Sequence, residues 1–138
     1  MANYCASCRT NYFKVKNSKK FLAAMKDIPN ITVDTDDGNL FYILGDDPDG
    51  AASPERGFDD DNVIDFVYDL PAIVSTHLAN DAVAIFMESG AEKLRYVIGH
   101  AVAVNNKGEQ RVISLNDIYD IAKAELTSKP DSVTPAEY

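Results

Sequence analysis

Two short turns set the strongest limit on what this chain folds into. Asp37-Gly38 stands between the apolar runs Ile31 to Thr35 and Leu40 to Leu44, and Asn105 to Gly108 separates a long apolar stretch from Gln110 to Ser114. Glycine beside Asp or Asn supplies the positive φ angles that tight hairpins need, so each turn makes its flanking runs antiparallel neighbours in a sheet. Between them, Asp81 to Glu88 carries Val83, Ile85 and Met87 on one parity and Ala82, Ala84 and Phe86 on the other, the pattern of a strand buried on both faces. Ser89-Gly90-Ala91 is expected to turn the chain into a strand from Lys93 to Val104, with Gly99 marking a bulge. Near the start, Tyr12, Lys14 and Lys16 alternate with Phe13 and Val15 as in a half-buried strand.

Helical spacing appears three times. Asn17 or Ser18 caps a segment reaching Asp27, with Phe21, Leu22 and Met25 on one side; Pro29 stops it. Asp69 precedes Leu70-Pro71 and a helix that ends near Ala79 with Ile73, Val74 and Leu78 on one face. Ser114-Leu-Asn-Asp117 opens the third helix as a capping-box variant, and Ile118, Ile121, Ala122 and Leu126 form its inner stripe. The expected fold is therefore α+β. A single domain over residues 1–126 holds an antiparallel sheet of five to seven strands, with about three helices mainly on one face. Residues 45–61, broken by Gly45, Pro48, Gly50, Pro54 and Gly57, read as a long acidic loop, and Asn62 to Tyr68 as an extended lead-in. Residues 127–138, with Pro130 and Pro135, read as a disordered tail.

Charge is segregated along the chain. Its 13 basic and 22 acidic residues leave −9 overall. Up to Lys26 there are six bases and no acid, whereas Asp34 to Asp69 holds twelve acids against Arg56 alone, a local balance of −11. That excess opposes attraction to nucleic acid or to an anionic membrane surface. The longest apolar stretch is interrupted by Gly99 and His100, so no transmembrane helix is expected, and the opening residues have no apolar core of a signal peptide. A cytoplasmic location follows as the expectation, and reduced thiols at Cys5 and Cys8 fit it.

The common site chemistries find little here. Cys5 and Cys8 form a lone C-x-x-C whose nearest soft ligands, His77 and His100, lie far along the chain, short of a zinc-binding spacing. Asp34-Thr-Asp36-Asp37-Gly38 has glycine where a calcium loop needs its fifth-position oxygen, and Gly45-Asp-Asp47-Pro-Asp49-Gly50 leads to Arg56 where the bidentate Glu belongs. No nucleophile elbow, phosphate loop or dinucleotide fingerprint occurs, and His100 reads as a strand histidine satisfied by a neighbour. No catalytic residue, metal or cofactor is expected.

The acidic run carries the functional expectation. On an extended strand, residues such as Asp34 and Asp36 recur about 7 Å apart on one face, comparable to phosphate spacing along a DNA strand. The alternative is that these acids only keep a loop solvated. At Arg9-Thr-Asn-Tyr-Phe-Lys-Val-Lys16, Gly45 to Gly50, Glu88-Ser-Gly-Ala-Glu-Lys-Leu-Arg-Tyr96, Ala101 to Val104 and Ser114 to Tyr119, the chain resembles small acidic proteins of phages and mobile elements. Such proteins are similar to anti-defence inhibitors, anti-CRISPR and anti-restriction factors among them, several families of which mimic DNA. The resemblance implies a non-enzymatic inhibitor that occupies a basic, nucleic-acid-handling host complex rather than nucleic acid itself. Asp34, Asp36, Asp37, Asp46, Asp47, Asp49, Asp59, Asp60 and Asp61 would act as phosphate surrogates and Phe58 as an apolar anchor. The competing expectation is an adaptor or small-ligand-binding domain that uses a pocket between sheet and helices, its acids serving solubility.

Overall fold

The computed structural model describes residues 4–28, 31–37, 39–45, 56–59, 62–65, 69–92 and 96–136. The chain runs β1 (Tyr4–Thr10), β2 (Phe13–Lys14), α1 (Ser18–Met25), β3 (Ile31–Asp37), β4 (Leu40–Gly45), β5 (Arg56–Asp59), β6 (Asn62–Asp65), α2 (Leu70–Ser75), β7 (Val83–Glu92), β8 (Tyr96–Asn105), β9 (Gln110–Ser114) and α3 (Asp117–Glu125). It is an α+β domain with a seven-stranded antiparallel sheet; β5 and β6 pair separately. Across the large sheet, β3 borders β4, β1 and β2 together lie between β4 and β7, and β8 and β9 complete it.

Both expected hairpins form, β3 pairing antiparallel with β4 and β8 with β9. The second closes through the Gly108 amide donating to the Asn105 carbonyl at 3.1 Å, with Gly108 at φ +81°, while Asn105 Oδ1 accepts from the Lys107 and Glu109 amides. The helix starts also follow their caps: Asn17 Oδ1 accepts from the Lys20 amide and Asp69 Oδ1 from the Ala72 amide.

Strand β1 breaks before β2, and two polar side chains carry the ladder over the break. Buried Thr10 turns its hydroxyl to the Ile43 amide of β4. Asn11 faces β7: its Oδ1 accepts from the Ile85 amide at 2.8 Å and its Nδ2 donates to the Val83 carbonyl. Backbone groups that a continuous strand would pair are thus satisfied by side chains.

One core cluster joins Phe13, Val15, Phe41, Ile43, Phe86 and Val104 of the strand segments to Phe21 and Met25 of α1 and Leu70 and Val74 of α2. The Phe21 ring stands edge-on to Phe13 at 5.7 Å and tilted on Phe41 at 5.0 Å. Ser75 donates to the Asn105 carbonyl at 2.8 Å and ties α2 to the end of β8.

Several expectations are corrected. Cys5 and Cys8 lie inside β1, at positions of opposite parity. Ser89-Gly90-Ala91 continues β7 and pairs with Gly99, Ile98 and Val97, and Gly99 pairs with Ser89 without a bulge. A Cβ at Gly99 would lie 2.9 Å from Leu115 Cδ1, so the half-exposed Leu115 side chain would have to turn aside. Part of the expected acidic loop forms β5, paired with β6, and α2 stops at Ser75 instead of near Ala79. Strand β7 is not buried on both faces, because Val83 and Met87 are exposed. Helix α3 forms but buries nothing, so its apolar stripe is not an inner face. After it, where a disordered tail is expected, a 3-10 turn spans Pro130–Ser132 and the Ala136 amide donates to the Tyr119 hydroxyl at 2.7 Å.

Candidate interaction surface

The acidic residues singled out in the sequence divide into three groups. Asp34, Asp36 and Asp37 stand on β3, which pairs only with β4 among the described strands. Phe58 and Asp59 belong to β5, in register with Val63 and Asn62. Asp46, Asp47, Asp49, Asp60 and Asp61 lie outside the described residues. On β3 the register pairs Asp34 with Tyr42 and Asp37 with Leu40, shifting between Thr35 and Asp37. The expected regular alternation along this strand is therefore interrupted.

Asp34 is exposed and begins a chain of contacts across the sheet. The Tyr42 hydroxyl donates to Asp34 Oδ2 at 3.1 Å, and the Thr35 amide donates to Asp34 Oδ1 at 2.8 Å. That phenolic hydrogen bond, with partial burial and the Asp34 charge behind it, holds the Tyr42 pKa above its ordinary value. Tyr12 packs edge-on to Tyr42 at 5.0 Å, and the Arg9 guanidinium lies over the Tyr42 ring at 5.6 Å from its centre.

From Arg9 the same face continues as an apolar floor. Cross-strand register sets Arg9, Met87, Ala101 and Ile113 in one row over β1, β7, β8 and β9. Their chain neighbours Thr10, Phe86 and Val102 are buried, so this row faces away from the core. With Leu44 and Leu115 it lines a groove of about 790 Å³. Neither Arg9 and Tyr42 nor Met87 and Ile113 were singled out by sequence reasoning. The available signal was Met87 and Val83 on the opposite parity from Ala84 and Phe86, which marks a second apolar face but not its exposure.

A row on the opposite parity holds Cys8, Glu88, His100 and Ser114 as successive cross-strand neighbours. Glu88 is buried, and its Oε2 lies 3.7 Å from His100 Nδ1. The Ser114 hydroxyl lies 3.5 Å from Asp117 Oδ1, which directs it toward α3. The row thus sets a buried carboxylate beside an imidazole, while the Ser114 hydroxyl lies next to a different acid, Asp117. Among the described residues no group of three or more His, Cys, Asp or Glu is placed to hold a metal ion, and no helix is long and apolar enough to cross a membrane.

Comparison with protein-family models, curated proteins and solved structures finds no match to this chain.

Proposed function

We propose that this chain is a non-enzymatic interaction protein of the anti-defence kind, which blocks a basic, nucleic-acid-handling complex by presenting carboxylates in place of phosphates. One observation carries the reading: a balance of −11 between Asp34 and Asp69, which begins on an edge strand with the exposed Asp34 held by Tyr42. Partners with lysine- and arginine-lined grooves would meet it at rates raised by long-range attraction, and salt would weaken the complex. A purified CRISPR surveillance complex, loaded with labelled duplex DNA and titrated with the protein, tests the proposal. Displacement of the duplex that weakens with added salt, and is lost on combining Asp46→Lys, Asp47→Lys and Asp49→Lys with the far-UV circular dichroism unchanged, supports it. Undiminished inhibition by that triple variant overturns it.

A second reading draws on the groove beneath Met87 and Ile113. Its volume of about 790 Å³ falls within the range of small-ligand sites. The expected pocket lay between sheet and helices; this groove lies on the face turned away from the core, and binding there would be insensitive to salt and to Asp46, Asp47 and Asp49.

A further inference from the structure

We infer that the protein pairs with a second copy of itself, each copy's α3 lying in the groove on the other's sheet. Two apolar surfaces stay exposed among the described residues. On α3, Ile118, Ile121 and Leu126 form a stripe and are 56%, 46% and 80% exposed; on the sheet, Met87, Ile113 and Leu115 are 57%, 64% and 52% exposed. A nine-residue helix is marginal in water by itself and takes its stability from packing an amphipathic face. The groove has the shape to receive such a face, because the small Ala101 stands between Met87 and Ile113 and keeps the floor low there.

Helix α3 does not pack on the groove of its own chain, where Ile118, Ile121 and Leu126 stay exposed. Only Leu115 and Asn116 separate β9 from α3. The Leu115 amide donates to the Gly99 carbonyl at 2.8 Å, and the Ser114 amide donates to Asp117 Oδ2 at 2.8 Å, fixing the first turn of the helix against the strand end. A surface and its complement that stay apart in the single chain meet twice across a two-fold axis, and that arrangement closes at two copies.

Area agrees with this occupant. Large apolar side chains about half or more exposed each present on the order of 100 Å², so these six offer about 600 Å² per copy and about 1,200 Å² for the pair, the lower bound of a stable interface. Two copies that each carry −9 repel one another at long range, so salt strengthens this association, the opposite of its effect on a basic partner.

Sedimentation velocity on the full chain from about 1 to 100 µM, where an interface of this size associates, gives the test. The expected species has twice the 15.1 kDa chain mass, and its share rises with sodium chloride. Ile121→Asp on the helix and Ile113→Asp on the sheet each weaken dimerisation at least tenfold with unchanged circular dichroism, since both positions are solvent-exposed in the single chain. Mixing the two variants restores partial pairing, because one intact helix then meets one intact groove. A chain that stays monomeric throughout this range, a dimer indifferent to both substitutions, or variants that do not complement one another would overturn the inference.

Discussion

The hydroxyl of Thr10 accepts a hydrogen bond from the Ile43 amide at 2.9 Å, with the residue only 2% exposed. It stands where β1 stops and β2 has not begun, and it supplies β4 with the acceptor that a neighbouring strand would have given. Thr10→Val keeps the shape and removes that acceptor, leaving a buried amide unpaired. The expected loss is about 1–3 kcal/mol, read as a lower urea midpoint with an unchanged slope; Thr10→Ser should retain most of the stability.

Phe21 and Leu22 are adjacent on α1 yet differ in what they hold. Phe21 is fully buried against Phe13, Phe41 and the His77 ring, whereas Leu22 is 46% exposed. Phe21→Ala should cost about 3–5 kcal/mol as a cavity opens between helix and sheet. Leu22→Ala should change stability by about 0.5 kcal/mol or less, as exposed helix positions do. Chemical denaturation of the two variants side by side checks the contrast.

Burial, followed by the nearby Lys16 and Lys20 charges, lowers the pKa of His77 below its ordinary value. The folded protein therefore holds this proton less tightly than the unfolded chain. Stability from His77 is complete above the unfolded value of about 6.5 and is lost as pH falls from there through the folded pKa. Thermal unfolding should show a decline on acidification below neutrality, and His77→Gln should remove that component of it.

The Tyr42 phenol is held above its ordinary pKa chiefly because it donates to Asp34. In Asp34→Asn the acceptor charge is gone, so the Tyr42 titration should move down toward the ordinary tyrosine value. Tyrosine ring-carbon NMR across the alkaline range reads this directly. A midpoint that stays in place would mean that the hydrogen bond does not set the titration.

The parts of the fold readable from sequence are those fixed by local chemistry. Asp37-Gly38 and Asn105 to Gly108 place two hairpins, and Asn17 and Asp69 place two helix starts, because each acts on backbone within a few residues. Strand β1 escaped notice because Cys5-Ala-Ser-Cys8-Arg9-Thr10 has no apolar alternation; its partners β7 and β4 hold it by backbone pairing. Ser89-Gly90-Ala91 carries turn-forming residues but lies between long strands whose ladder overrides them. The stripe of Ile118, Ile121 and Leu126 was legible as a helix face; periodicity reveals that such a face exists and is silent on what covers it. The same limit holds for the candidate surface. Charge counting found the run that starts at Asp34, but the link from Asp34 through Tyr42 to Arg9 depends on register between three strand positions.

The slip in register between Thr35 and Asp37 bears on how the molecule avoids uncontrolled self-stacking. A long, straight outer strand offers its amides and carbonyls to any passing extended segment and templates fibrils. Here the outer strand is dislocated where Asp34, Asp36 and Asp37 cluster, so an incoming duplicate meets a misaligned row and like charge together. The device guards this border of the sheet alone; β9 at the opposite border keeps a regular register and exposes Val112 and Ile113.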